Sequence, residues 1–285
     1  MASRTPSAAP RAGEQPPATA RAPRRRLSVD ERREQLIAVA LQLFSDRAPE
    51  DVSIDDIAAA AGASRPLVYH YFPGKQALYE EALRRAGHEL AGRFEEPGEG
   101  PLSERLHRVM GRYLDFVQSH AAGFTALLRG GSVAASPDAD AVIDQVRRAA
   151  QEQILLHLGA PDPSPTLRRT VRAWIANAEI SSLDWLTDKP VPVETLQLHL
   201  VQELVAALTV AAARDPELAS LLGEFFADER PDGPAALLLR DLTATLSAPA
   251  LTGPLLRLAT PPGRRRPGGG RSAAGGGARG PGAAG

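Results

Sequence analysis

Hydrophobic side chains recur at spacings of three and four through most of this chain, and no segment alternates in the manner of a half-buried strand. The pattern therefore predicts an all-α protein. Ser28 and Glu31 form a capping-box pair ahead of the first apolar stripe, and glycine and proline clusters separate the later segments. The predicted helices cover residues 28–46, 53–60, 64–72, 75–94, 102–120, 121–129, 137–158, 165–187, 193–213, 216–227 and 234–247.

Charge is distributed unevenly, although the whole sequence of 285 residues carries a net charge of only −1. Residues 1–29 hold six arginines and one glutamate, whereas residues 261–285 hold five arginines and no acidic residue. Both ends are rich in Pro, Gly and Ala and poor in large apolar residues, so we expect them to be disordered. The predicted regions are an Arg/Pro/Ala-rich arm over 1–27, a first helical domain over 28–94, a second over 101–228, a further helix within 229–260 and a Gly/Arg-rich tail over 261–285.

The most informative stretch runs from Ser53 to Lys75 and reads SIDDIAAAAGASRPLVYHYFPGK. Two short predicted helices are joined there by a three-residue turn that contains Gly62, which is the helix-turn-helix pattern. Ala58 and Ala61 are small, as two helices that cross closely require. The first helical domain is therefore expected to be a three-helix DNA-binding domain of this type.

The predicted helix over 64–72 has two different faces. At 100° per residue, Val68 and Phe72 point in the same direction, which we assign to the protein core. Arginine and histidine can hydrogen-bond base edges, while proline, leucine and tyrosine can pack on a thymine methyl group. The opposite face, which we expect to meet the major groove, carries Arg65, Pro66, Leu67, Tyr69 and His70.

The helix starts in this stretch predict caps and phosphate contacts. Pro66 fits a first helical turn but disfavours helical geometry in the preceding residue, so we expect Arg65 rather than Ser64 to be the cap. Lys75 lies at the start of the next helix, where free N–H groups and a cation together can bind a phosphate. Ser53, at the start of the second helix, is expected to bind another phosphate.

The stretch from about Ser28 to Leu90 resembles the N-terminal domain of the TetR/AcrR family of bacterial transcriptional regulators. In that family the helix corresponding to residues 64–72 enters the major groove. The resemblance implies that the outward residues named above face DNA and that Tyr71 and Lys75 hold the DNA backbone. It rests on LIAVALQLF from Leu36, SIDDIA from Ser53, AGAS from Ala61, LVYHYF from Leu67 and KQAL from Lys75.

Two strongly apolar helices mark the second domain, which is expected to bind an effector and to dimerise. From Thr195 to Ala213 the only charged residue is Glu203, and a helix that is apolar all round must be covered on more than one side. The resemblance implies that helices near 165–187 and 193–213 meet their symmetry mates in a four-helix dimer interface. The alternative is that both helices are buried inside one monomer.

Aromatic residues and a histidine within 102–187 are the candidate effector pocket, because small-molecule sites are concave and largely apolar. The resemblance implies a small hydrophobic effector in this domain. The alternative is that these side chains simply form core. The candidate pocket residues are Tyr113, Phe116, His120, Phe124, Trp174 and Trp185.

Several other classes of function find no support in the sequence. There is no cysteine, no His-Glu-x-x-His and no Gly-x-Ser-x-Gly, so we expect no enzyme, no metal site and no cofactor. No apolar run reaches 18 residues, and no hydrophobic stretch follows the N-terminal arginines. We therefore expect no membrane partner and a cytoplasmic location.

Two hypotheses follow for the function. The first is a homodimeric, DNA-binding transcriptional repressor that a small-molecule effector releases from a palindromic operator, since two recognition helices double the base contacts. The second is a helical small-molecule sensor or protein-interaction module without direct DNA binding. It is motivated by residues 30–93, which hold eleven acidic and eight basic side chains, a net charge of −3. On the first hypothesis the arginine-rich arm either contacts DNA or remains a solvated extension.

Overall fold

A computed structural model of the chain describes residues 27–130 and 136–259, and these are helical with short connections. The arm was predicted over residues 1–27 and the tail over residues 261–285. Apart from Leu27, both lie outside the residues that the structure describes. The helices are α1 Val29–Asp46, α2 Ile54–Ala60, α3 Arg65–Tyr71, α4 Lys75–Gly92, α5 Leu102–Ser119, α6 Ala121–Arg129, α7 Pro137–His157, α8 Pro165–Asp188, α9 Val193–Ala212, α10 Pro216–Ala227, α11 Pro234–Leu246 and α12 Pro249–Ala259.

The all-α prediction is confirmed, and the predicted helices match the observed ones to within a few residues at each end. Two elements were not predicted as such. A 3-10 turn at Pro49–Asp51 separates α1 from α2, and the region after residue 228 contains α12 in addition to α11. The 3-10 turn was missed because three residues are too short for a hydrophobic period to be visible.

Serine side chains cap the first three helices. Ser28 and Ser53 form capping boxes with Glu31 and Asp56, and both hydrogen bonds of each box are present. The expectation that Arg65 caps α3 is wrong: Ser64 is the cap, and its hydroxyl accepts a hydrogen bond from the Leu67 amide. Arg65 is already helical because the hydroxyl of Ser64 satisfies an amide that an arginine side chain, which only donates, cannot satisfy.

One hydrophobic core holds α1 to α4 together. It is built from fully buried residues of all four helices, among them Leu36, Ile57, Val68 and Leu78. Gly62 adopts a φ of +60° at the turn between α2 and α3, a conformation that favours glycine. The core and this turn fix the direction in which α3 faces, which decides what α3 can contact.

The chain divides into two compact units that share three long helices. The first comprises the described residues up to 95 together with 112–130, 136–153 and 175–190, and the second comprises 96–111, 154–174 and the described residues from 191 onward. Helices α5, α7 and α8 contribute residues to both units.

In the second unit α9 packs against α10 and α11 of the same chain. Its buried side chains include Leu200, Leu204 and Leu208. By length and composition α9 is also apolar enough to cross a membrane. The core helix of a globular domain has the same composition, and the packing of α9 fits that explanation.

Candidate nucleic-acid interface and apolar pocket

Helix α3 has a buried face and an exposed face. Val68 and Phe72 are buried, which confirms the predicted inward direction. The outward side carries four exposed residues, namely Arg65, Pro66, Tyr69 and His70, with the half-buried Leu67 beside them, whereas the half-buried Tyr71 packs against the core. A helix that presents arginine, proline, tyrosine and histidine on one open side has the chemical groups that read base edges in a major groove.

Arg65 is held in place by two neighbours. Its guanidinium donates to a carboxylate oxygen of Asp55 at 3.1 Å and lies 5.6 Å from the ring centre of Tyr69. A hydrogen bond to Tyr69 and the charge of Asp55 raise the pKa of Arg65, so the side chain stays charged. Both partners are exposed, so the guanidinium is oriented on the open side of α3 rather than withdrawn from it.

Asp55 is the residue in this interface that the sequence did not identify. It lies ten positions before Arg65, on α2, and the pair forms only because α2 and α3 cross. No spacing rule links residues ten apart on different helices. The sequence signal that was available, an acidic residue in the first turn of α2, also has an ordinary explanation in the helix dipole.

Lys75 and Ser53 lie where phosphate contacts are expected, and both already have partners within the protein. The ammonium of Lys75 donates to the backbone carbonyls of Pro49 at 2.9 Å and Glu50 at 3.4 Å. The hydroxyl of Ser53 donates to the carboxylate of Asp56 at 2.6 Å. Ser53 therefore caps α2, and Lys75 ties the start of α4 to the Pro49–Asp51 turn.

Two of the eleven acidic side chains of residues 30–93, Glu34 and Glu81, form ion pairs with arginines on α1 and α4. Glu34 bonds Arg85 at 2.9 Å, while Glu81 bonds Arg33 and Arg84 at 2.8 Å each. Each pair uses a base as well as an acid, so the pairs leave the net charge of −3 over residues 30–93 unchanged. The paired acids lie on α1 and α4, away from the exposed side of α3.

An apolar cavity of about 100 Å³ lies within the first unit, among α1, α4, α5, α6, α7 and α8. Three of the expected pocket residues, Phe116, His120 and Phe124, line this cavity. Its lining also includes residues of the DNA-binding helices that the sequence did not suggest, namely Leu41, Phe44 and Ser45 on α1 and Tyr79, Ala82, Leu83, Ala86, Gly87 and Leu90 on α4.

The other three expected pocket residues are not among the lining residues. Tyr113 and Trp185 are buried, and burial raises the pKa of the Tyr113 hydroxyl. Trp174 lies in the second unit, where its indole N–H donates to the carbonyl of Leu200 at 2.9 Å. Helical spacing placed these aromatic residues in the interior, but it could not distinguish core from cavity wall.

Few polar groups border the cavity, and the one charged residue among those described, Glu179, is paired with an arginine. Glu179 accepts hydrogen bonds from the guanidinium of Arg147, the shortest at 2.6 Å. The ring of His120 stacks on Phe116 with centres 4.1 Å apart, and its Nδ1 lies 3.0 Å from the carbonyl oxygen of Phe116. Burial raises the pKa of Tyr79 to about 12, so its hydroxyl remains neutral.

Comparison with known proteins identifies both parts of the chain. A family model described as "Bacterial regulatory proteins, tetR family" matches residues 36–82, and one described as "Tetracyclin repressor-like, C-terminal domain" matches residues 102–207. The crystal structure of a tetR-family transcriptional regulator from Streptomyces coelicolor is 52% identical with a TM-score of 0.74, and the match covers 77% of this chain and 99% of that chain.

Curated relatives point the same way. The transcriptional activator FasR of Mycolicibacterium smegmatis is 29% identical over 153 residues, which is 49% of this chain and 70% of FasR. The transcriptional regulator EthR of Mycobacterium tuberculosis is 45% identical over 60 residues, which is 21% of this chain and 28% of EthR. With the helix-turn-helix in place and both family segments matched, the chain belongs to the TetR family of bacterial transcriptional regulators and is a DNA-binding regulator of transcription.

Proposed function

We propose that this protein is a homodimeric repressor that binds a palindromic operator and is released from it by a small-molecule effector. The observation that carries the proposal is the open side of α3, where Arg65, Pro66, Tyr69 and His70 are exposed while Val68 anchors the helix to the core. We propose Leu67 as a further base-facing residue and Ser53, Tyr71 and Lys75 as contacts to the DNA backbone. The cytoplasm, which holds the bacterial chromosome, is the proposed location.

A dimer is proposed because one helix as short as α3 reads only a few base pairs, whereas a two-fold pair reads two half-sites. Apolar side chains left open on the two proposed interface helices support this. Ile180 on α8 is 60% exposed and Val210 on α9 is 69% exposed. Ala173 and Ala176 lie on the same side of α8 as Ile180 and are exposed, so a second helix can approach closely there.

The packing of α9 within the chain limits how much of its surface is left for a dimer interface. Because α10 and α11 of the same chain cover much of its apolar surface, α9 does not need a partner chain for all of its burial. We therefore propose that α8 supplies the centre of the interface and that α9 contributes its remaining open side. We propose that residues 28–94 bind DNA and that residues 101–228 dimerise and bind the effector, with part of the effector cavity wall supplied by α1 and α4 of the first region.

Effector release is proposed to act through the apolar cavity in the first unit. A ligand can shift an equilibrium only by its difference in affinity for two states. The cavity lining includes α1 and α4 as well as α6 and α7, so a ligand there touches DNA-binding helices directly. Binding favours an arrangement in which the two recognition helices of the dimer no longer fit successive major grooves.

The test begins with selection of a bound operator from random DNA, followed by binding titrations of the full chain. The proposal expects a palindromic sequence, two protomers per operator and an affinity that falls linearly with the logarithm of salt concentration. A single half-site bound by one protomer would contradict the dimer. Because FasR is named as an activator, a promoter reporter decides the sign, and transcription that rises when the protein is present would contradict repression.

A further inference from the structure

The size of the cavity in the first unit limits what it can hold. Its volume is about 100 Å³. An engineered apolar protein cavity of about 150 Å³ binds benzene. A single six-membered ring therefore matches the space after a small adjustment of the walls.

The charges around the cavity favour a neutral ligand. Glu179 is the only carboxylate among the described lining residues, and the guanidinium of Arg147 donates three hydrogen bonds to it. The part of the lining that the structure describes contains no lysine and no arginine. A charged ligand would lose its hydration without gaining an uncompensated partner of opposite charge, which is costly in an apolar site.

His120 supplies one directional polar contact. Its Nδ1 lies 3.0 Å from the carbonyl oxygen of Phe116, and a carbonyl only accepts hydrogen bonds, so Nδ1 carries the hydrogen. In the neutral ring Nε2 is then an acceptor with a free lone pair. The side chain is partly exposed and lines the cavity, so a hydrogen-bond donor on a ligand can reach it.

We infer that the cavity binds a small neutral ring compound bearing one hydroxyl group, which donates its hydrogen to Nε2 of His120 while the ring packs against the apolar walls. This inference rests on the proposed effector role of the cavity and adds the chemical class of the ligand. Phenol is the simplest compound of this class and serves as the probe.

The position of His120 links this contact to the DNA-binding helices. His120 is the N-cap residue of α6, and α6 packs against α1. A ligand bonded to His120 lies between these two helices, because Phe44 and Ser45 on α1 and Phe124 on α6 line the same cavity. A ligand in the cavity therefore acts directly on the packing between α1 and α6.

The experiment measures binding of four single-ring probes to the full chain by calorimetry, together with their effect on operator affinity. Phenol is expected to bind about fivefold more tightly than fluorobenzene, which has a similar size and no donor, as one net hydrogen bond allows. Benzoate and benzylammonium are expected to bind at least tenfold more weakly than phenol. Tighter binding of either ion, or equal binding of phenol and fluorobenzene, would overturn the inference.

A pair of variants isolates the histidine. His120→Leu is expected to abolish the preference for phenol over fluorobenzene. His88→Leu is the matched control, because its Nδ1 makes the same contact four residues back, to the carbonyl of Arg84, on an exposed side of α4 outside the cavity. If His120→Leu does not fold, the ¹⁵N shift of Nε2 in histidine-labelled wild-type protein replaces it, and a resonance unmoved by saturating phenol rejects the contact.

Operator titrations separate this inference from the proposed function. If phenol binds as described but operator affinity stays constant, the ligand class is supported and the effector role of the cavity is contradicted. If the operator is bound by a dimer and phenol shows no preferred binding, the ligand class alone fails. Operator affinity that falls about tenfold at saturating phenol, and does so less in His120→Leu, supports both.

Discussion

Gly123 on α6 lies directly against the backbone of Phe44 on α1: a Cβ atom at residue 123 would be 2.8 Å from the Phe44 carbonyl oxygen. Real Cβ contacts are essentially never shorter than 3.0 Å, and the neighbouring atom belongs to the backbone, so it cannot turn away. The lack of a side chain at residue 123 is therefore what allows α6 to pack against the DNA-binding domain at this distance.

Gly123→Ala is expected to destabilise the protein by about 1–3 kcal/mol, because the added methyl group forces α6 and α1 apart. It is also expected to weaken operator binding at temperatures where the protein is fully folded. The control is Gly223→Ala on α10, where nothing lies within 4 Å of the added Cβ. That change is expected to gain about 0.5–1 kcal/mol from helix propensity. Urea unfolding would show opposite signs, and matching signs would refute the argument.

Arg65 is expected to read a base, so Arg65→Ala should cost about 1–3 kcal/mol and relax base preference at one operator position. Asp55→Asn is more informative, because it keeps the shape of the side chain while removing the charge that orients Arg65. It should lower specificity and at the same time raise non-specific affinity, since one negative charge near the phosphates is lost.

Binding titrations against the selected operator and a scrambled duplex measure both effects. Asp232→Asn, which removes the same charge from an exposed site between α10 and α11, serves as the control and should change neither affinity. If Asp55→Asn raised specific and non-specific affinity equally, Asp55 would have no role in orienting Arg65.

The helix-turn-helix was predictable from sequence because its determinants are local. Serine caps, a glycine at a positive φ, and the 100° spacing of Val68 and Phe72 are properties of a few consecutive residues. The bond from Lys75 to the Pro49 carbonyl joins residues 26 positions apart, and no periodicity encodes it. Tertiary packing also brings α1 and α4 to His120. The sequence therefore suggested some residues of the cavity wall but none of those on α1 and α4.

Lys75 has two roles that a substitution should separate. Lys75→Met removes a phosphate contact, so we expect weaker binding to all DNA sequences and a salt dependence reduced by about one unit in slope. It also removes the hydrogen bonds that the ammonium donates to the carbonyls of Pro49 and Glu50, so the free energy of unfolding should fall by about 1 kcal/mol. Lys189→Met, at the other lysine of the sequence, is the control for charge. An unchanged salt slope would mean that Lys75 is structural only.

Asp215 is expected to make the free energy of unfolding depend on pH in the acid range. It caps α10, accepts a hydrogen bond from the hydroxyl of Ser164 at 2.5 Å and another from the Leu218 amide at 3.1 Å. These bonds lower the pKa of Asp215 from its ordinary value of 3.8. A folded-state pKa below the unfolded value contributes stability above pH 3.8 that is lost as the pH falls through the folded pKa.

Asp215→Asn should therefore reduce the slope of unfolding free energy against pH below about pH 4, while the amide oxygen still caps α10. Unfolding midpoints in denaturant measured from pH 6 to pH 2.5 provide the comparison with the unmodified chain. Asp162→Asn, at an exposed carboxylate, should leave the acid slope unchanged. The explanation fails if the two variants respond to acid alike.

A substitution on the exposed side of α8 tests the proposed homodimer. Ile180 is 60% exposed and shares its side with Ala173 and Ala176, so a charged residue there would lose its hydration against the partner helix of the proposed dimer. Ile180→Glu is expected to convert the dimer to a monomer in light scattering and to lower operator affinity at least a hundredfold. Leu156→Glu, at a 68% exposed apolar position on α7, should leave both properties intact. A dimer that survives Ile180→Glu would place the interface elsewhere, whereas a monomer that still binds the full palindrome tightly would show that pairing off DNA is not required for recognition.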